Sequence, residues 1–159
     1  MTEHLLRSAQ TVTAVDGAPE MLSRAKARVG SAPVRFIEAD LFSWQPDQRY
    51  DAVFFGFWIS HVPEEMFESF WTLVADALKP DGRVFFFDDN HRTETELIEG
   101  DSSPIVERRL TNGSPFRVIK IPYQPAELEQ RLRALGWDIT VTATPGPFYW
   151  GLGGRDTSV

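Results

Sequence analysis

The residues of this chain that could do chemistry fall into three groups, and each group closes an apolar run. Asp16 and Asp40 form the first, Phe57, Trp58 and His61 the second, and Asp88, Asp89 and His91 the third. Carboxylates at the carboxyl ends of parallel strands stand where open α/β sheets bind their ligands. A carboxylate accepting from a neutral donor there is worth about 1.5–3 kcal/mol. The plainer roles are structural: Asp16 complements the dipole of the helix that follows, and Asp40 organises its own turn. The faces of Phe57 and Trp58 could attract a cation, at about 0.5–2 kcal/mol, or simply pack under the next helix. His61 titrates near neutrality and suits a general base. Asp88, Asp89 and His91 could orient a nucleophile or bind a cationic substrate, or they could be a solvated strand end. His61 and His91 lie on different elements without metal-ligand spacing, so no metal is expected.

The elements that must position these residues alternate in a regular way. Val12–Asp16, Val34–Asp40, Asp51–Phe57 and Arg83–Asp88 read as strands, and Ala18–Val29 and Pro63–Leu78 read as helices. Pro19 suits a first helical turn, where its missing N–H would have no partner. Ala52–Phe57 is apolar throughout, as a parallel strand covered on both faces should be. Lys79–Gly82 stops the long helix and turns the chain. This alternation predicts a doubly wound α/β fold.

Beyond residue 90 the pattern changes. Asn112-Gly113 between two alternating runs predicts a hairpin, within about residues 104–123, lying over the ligand edge of the sheet as a cap. A helix over Pro125–Leu135 ends at Gly136, and Trp137–Ala143 with Pro147–Gly151 read as a closing antiparallel pair. Gly151-Leu-Gly-Gly154 has no helix after it to aim N–H groups at an anion, so it is read as the fraying end of the sheet. Thr2–Ala9 reads as the last turns of a helix.

The bulk numbers narrow the class. One domain spanning residues 1–159 is expected. A net charge of -7 argues against a nucleic-acid partner. The chain has no cysteine, hence no disulfide and no thiolate metal site. Ala52–Ile59, its longest apolar stretch, is too short to span a bilayer, and the first residues are not a secretory signal. No membrane partner and a cytoplasmic location are therefore expected.

Five segments taken together resemble the class I S-adenosylmethionine-dependent methyltransferases. They are Thr11–Leu22 with its acidic strand end, Phe36–Phe42 with its Asp-Leu pair, Asp51–Val62, Leu78–Gly82 before an apolar strand, and Leu135-Gly136-Trp137. The resemblance covers about residues 5–152 by the order of elements. It implies a Rossmann-like, mostly parallel sheet with an antiparallel C-terminal strand, and S-adenosyl-L-methionine as cofactor. It also implies that Asp16 accepts from ribose hydroxyls, Asp40 from the adenine amino group, and that the Leu41 N–H meets a ring nitrogen. Met21 and Phe42 are candidates to sandwich the adenine, and Phe57 to lie beside the sulfonium. On the acceptor side the candidates are Trp58, Asp88 and His91, with His61 as candidate base. The implied reaction is in-line methyl transfer to an oxygen or nitrogen of a small molecule, with the nucleophile held about 3–3.5 Å from the methyl.

The chain departs from the family at one place: the first strand and its Gly-rich turn have no counterpart. Three outcomes are expected from that gap: direct pairing of Val12–Asp16 with Val53–Phe57, a partner chain such as a second copy filling the slot, or a biological start upstream of Met1. The third is the reading adopted. Because the Gly-rich turn normally approaches the cofactor closely, weak or absent activity is expected of this form. Two alternatives stand beside the methyltransferase: a non-catalytic remnant that binds a small molecule, and, ranked last, a dinucleotide-dependent oxidoreductase.

Overall fold

The computed structural model describes residues 2–98 and 103–156. They belong to two compact units, Met1–Gln45 and Pro46–Val159.

In the first unit a short helix α1 (Thr2–Leu5) precedes a β-α-β crossover made of β1 (Val12–Asp16), α2 (Pro19–Val29) and β2 (Val34–Glu38). The strands run parallel, in register from Val12 opposite Val34 to Asp16 opposite Glu38. Pro19 stands in the first turn of α2 as expected. Gly30 ends the helix with φ 59°, a conformation open to glycine, and its N–H returns to the Lys26 carbonyl. All of β1 is half-buried and no residue of α2 is fully buried.

The second unit holds β3 (Tyr50–Gly56), α3 (Phe67–Ala77), β4 (Leu78–Asp89), β5 (Ile105–Arg109), β6 (Pro115–Ile119), α4 (Pro125–Ala134), β7 (Trp137–Ala143) and β8 (Phe148–Arg155). Its main sheet has the order β3-β4-β8-β7, with β3 and β4 parallel and the remaining pairs antiparallel. The core forms where Phe67, Phe70, Trp71 and Val74 of α3 and Leu128 and Leu132 of α4 meet Phe86, Trp137 and Tyr149 of the sheet. Trp71 packs edge-on to Trp137 at 5.0 Å between ring centroids, and Phe55 stacks on Phe86 at 5.2 Å. Of these, the fully buried side chains such as Phe86 contribute about 1.5–3 kcal/mol each, while Phe55 is partly buried. β5 and β6 pair with each other as the expected hairpin, and Gly113 takes φ 84° in its turn.

Several expectations are corrected. Direct pairing of Val12–Asp16 with Val53–Phe57 is not formed: β1 pairs β2, and β3 pairs β4. The ladders make three separate sheets rather than one. The helix expected from Pro63 begins as a 3-10 turn, Glu64–Met66, and becomes α-helical only at Phe67. Lys79–Gly82 does loop out, but inside β4: Tyr50 pairs with Leu78 and Ala52 with Arg83, so four residues bulge between neighbouring rungs.

The largest correction concerns Gly151–Gly154. This segment is no fraying end; it lies in β8, between β4 and β7, with Gly151, Gly153 and Gly154 buried. A Cβ at Gly151 would stand 2.2 Å from Phe86 Cζ, and one at Gly153 would stand 2.0 Å from the Asp138 carbonyl oxygen. These glycines therefore answer close packing, as glycine inside a strand often does.

Candidate functional site

In the first unit both acidic residues stand at strand ends and already have local work. Asp16 Oδ1 accepts from the Ala18 N–H at 2.9 Å, and Asp40 Oδ1 accepts from the Phe42 N–H at 3.0 Å. Each is an Asx turn, which fixes the carboxylate relative to the backbone. The Asp40 carbonyl also accepts from the Ser43 and Trp44 N–H groups, in the turn that follows β2. Among the described residues Oδ2 of each carboxylate takes no hydrogen bond, and neither does the Leu41 N–H. Met21 is half-exposed on the first turn of α2, and Phe42 is partly exposed.

In the second unit the chain leaves β3 through a strained residue. Phe57 has φ 54°, the sole non-glycine in the left-handed region among the described residues. Such a conformation costs about 1–3 kcal/mol and persists only where the surroundings impose it. Here the Phe57 N–H donates to the Phe87 carbonyl at 2.9 Å, and its ring meets those of Phe87 and Phe148 edge-on at 4.8 and 6.2 Å. Phe57 is 44% exposed, and it stands at the carboxyl end of a parallel strand. Trp58, by contrast, is half-buried and tilts against Phe70 of α3 at 6.3 Å.

A 3-10 turn over Ile59–His61 follows, and around it lies a buried polar network. Asp88 is fully buried at the end of β4. It accepts from the Ser60 N–H at 3.0 Å, the Ser60 hydroxyl at 2.9 Å and the Asp89 N–H at 2.8 Å. Lys120, also buried, places its Nζ 3.0 Å from Ser60 Oγ, 2.9 Å from Asp89 and 3.4 Å from Asp88. The Ile121 N–H donates to the Ser60 carbonyl at 2.8 Å, and His61 Nδ1 meets the Ile119 carbonyl. The chain leaving β6 is thereby stitched to the turn after β3. Burial holds the His61 imidazole below its ordinary value of 6.5, against the opposing pull of the Ile119 carbonyl, and the Lys120 charge lowers it further.

The sequence-predicted residues fall in both units. Asp16, Met21, Asp40 and Leu41 belong to the first unit, and Phe57, Trp58, His61 and Asp88 gather in the second. His91 is exposed, and its N–H donates to Asp89 Oδ1 at 3.1 Å. Asp88 is the residue whose setting differs most from expectation. Its oxygens are engaged by internal partners, so it is no open strand end.

Three members of this cluster were missed in the sequence. Ser60 and Lys120 sit inside apolar runs, and a lone lysine in Val118-Ile119-Lys120-Ile121 was the available signal. Tyr149 lies opposite Asp88 across the β4–β8 ladder, and among the described residues its hydroxyl has no partner. Burial, then the charge of Asp88, pushes that hydroxyl far above the usual phenol range. Tyr123 is buried nearby and is pushed up to about 12, first by burial. Both phenols stay protonated at neutral pH.

Similarity to known proteins shows the family. Residues 1–82 match the family described as the methyltransferase domain. The chain is 41% identical to DhpI, solved as a complex with SAM and HEP, at a TM-score of 0.84 over 95% of this chain and 71% of that one. This chain belongs to the class I S-adenosylmethionine-dependent methyltransferases. A second DhpI structure, in complex with SAH, superposes at a TM-score of 0.83 with 40% identity, again over 71% of its length. Trans-aconitate 2-methyltransferase of Escherichia coli is 35% identical over 74 residues, which are 46% of this chain and 28% of that protein. The chain thus matches well under two thirds of that relative's length. An S-adenosylmethionine-dependent methyltransferase from Clostridium acetobutylicum shares the fold, with a TM-score of 0.73 at 14% identity.

Proposed function

We propose that this chain serves S-adenosylmethionine-dependent methyl transfer to an oxygen or nitrogen of a small-molecule acceptor. The observation that carries the reading is the 41% identity, over 95% of the chain, to a methyltransferase-fold protein captured with SAM. Membership in this family favours it over a dinucleotide-dependent oxidoreductase.

The side chains fit such a cofactor. Asp16 and Asp40 each keep Oδ2 uncommitted while Oδ1 anchors the carboxylate, so each can accept from a ligand hydroxyl or amino group without reorganising. The free Leu41 N–H suits a ring nitrogen, and Met21 and Phe42 offer apolar surface beside it. Phe57, exposed and aromatic, suits a sulfonium. When bound, S-adenosylmethionine supplies an electrophilic methyl group.

On the acceptor side, His61 is the base. Its Nδ1 is engaged by the Ile119 carbonyl, which can only accept, so Nδ1 carries the proton and Nε2 carries the lone pair. Nε2 takes the proton from an acceptor O–H or N–H and becomes part of an imidazolium, which solvent later deprotonates. Since burial lowers its pKa, His61 is neutral and ready at pH 7. Trp58 and His91 flank the acceptor, and Asp88 holds the turn that carries His61. Base catalysis of this kind contributes about 10²–10⁴-fold. No described segment supplies a Gly-rich strand-to-helix turn, so slow turnover is part of the proposal.

The test is S-adenosylhomocysteine release, read by mass spectrometry, from the chain incubated with S-adenosylmethionine and a panel of carboxylic acids, phenols and amines. Acceptor-dependent release that falls at least tenfold in His61→Ala supports the reading. Acceptors that bind without any release point instead to a non-catalytic binding module.

A further inference from the structure

We propose that Lys120 is a positioning residue for His61: seated among Ser60, Asp88 and Asp89 at the exit of β6, it holds the Ile119 carbonyl against His61 Nδ1 and so leaves the lone pair on Nε2. The inference rests on the reading of His61 as the base and adds a residue to it.

Its grounds are geometric. The Lys120 ammonium has three oxygen partners within 3.4 Å, and all belong to the turn after β3 or the end of β4. Its own backbone sits one residue beyond Ile119, whose carbonyl receives His61. One residue further on, the Ile121 N–H adds a second pin onto the Ser60 carbonyl. The segment 119–121 is therefore pinned twice immediately after the one carbonyl that fixes the imidazole. Hydrogen bonds from charged groups are worth about twice neutral ones, so the lysine is the stiffest of these pins. Carboxylates orient catalytic imidazoles directly in many sites; here a cation does so at one remove, through a main-chain oxygen.

Charge makes the same residue matter a second time. The groups facing His61 are Lys120 and the Ile119 carbonyl from the β6 side, Arg108 from β5 and Asp88 from β4. Lys120 and Arg108 oppose formation of the imidazolium, and Asp88 favours it. Without the lysine, the charge of Asp88 acts on the ring with no buried cation to oppose it.

The experiment is a long-range proton–nitrogen correlation spectrum of the ¹⁵N-labelled full chain, titrated in pH. The chain has three histidines, and the His61 signals are those lost in His61→Gln. The wild-type spectrum should show one neutral tautomer, with the proton on Nδ1, and a titration midpoint below 6.5. In Lys120→Met the single tautomer should give way to an average of both. Should Lys120→Met fail to fold, Ser60→Ala and Asp89→Asn each remove one partner of the ammonium, and both should still erode the single tautomer. A wild-type proton on Nε2, or an unchanged tautomer in the folded variants, overturns the proposal. The readout needs neither cofactor nor acceptor. Failure here therefore leaves the methyltransferase reading standing, and absent turnover leaves this inference standing.

Discussion

Asp88 offers a test of whether the buried network holds the site together. Replacing it with Ala removes the acceptor for the Ser60 N–H at 3.0 Å, the Ser60 hydroxyl at 2.9 Å and the Asp89 N–H at 2.8 Å, and one of two carboxylates around Lys120. Breaking a buried ion pair from one side costs about 3–5 kcal/mol. Asp89 still faces the ammonium at 2.9 Å, which places this case at the low end of that range. An orphaned buried N–H adds about 1–3 kcal/mol, though such costs do not sum simply. The expected loss is therefore at least about 3 kcal/mol, a large share of the roughly 5–15 kcal/mol of a typical domain. Asp88→Asn keeps a carbonyl for the Ser60 N–H and should lose about half as much. Urea unfolding followed by tryptophan fluorescence reads the effect. With a slope of about 1–3 kcal/mol per molar, the midpoint for Asp88→Ala should fall by about 1–3 M. A midpoint within about 0.2 M of wild type, an energy difference of roughly 0.5 kcal/mol, would mean that the buried network does not hold the turn in place. It would return Asp88 to the role of an open, substrate-orienting carboxylate, whose loss would show in KM instead.

Three further outcomes follow from the same structure. Gly151→Ala should destabilise by about 1–3 kcal/mol through overpacking. Its new methyl would lie 2.2 Å from Phe86 Cζ, so Phe86→Leu in the same chain should recover part of the loss; strict additivity in urea unfolding would contradict the packing account. Because the native His61 pKa is lowered, the unfolded state binds the extra proton first: His61 contributes stability that is complete above pH 6.5 and is lost as pH falls toward its native value. Calorimetric melting of wild type and His61→Gln should show that difference, and parallel pH profiles would contradict it. Phe57→Gly should raise stability or leave it unchanged, since glycine relieves a φ of 54°, while weakening any sulfonium contact. A marked loss of stability would mean that ring packing against Phe87 outweighs the strain.

Much of this fold is legible in the sequence because local chemistry and tertiary packing agree there. β1, α2 and the hairpin turn at Asn112-Gly113 carry their own signals: Pro19 in the first helical turn, a carboxylate closing each strand, and a residue free to take positive φ. Asp16 and Asp40 are readable for the same reason, since an Asx turn at a strand end is a local event. Gly151–Gly154 misleads because its glycines answer Phe86 and Asp138, which no window around them contains. The strand that holds them reads as a turn-rich tail until the sheet order is known. Lys120 and Ser60 are hidden in a similar way. Their partners lie between 28 and 60 residues away along the chain, so only folding shows that a lysine in an apolar run is paired. Asp88 is visible as a strand end, but its burial is set by Ser60 and Lys120 arriving from elsewhere.

Cofactor binding by the acidic strand ends, proposed above, is read out by calorimetric titration with S-adenosylhomocysteine. One-to-one binding is expected, weakened in Asp16→Ala by about 1.5–3 kcal/mol, or roughly 10- to 150-fold in Kd. No detectable heat from a demonstrably folded chain, or equal affinity in the variant, would contradict it.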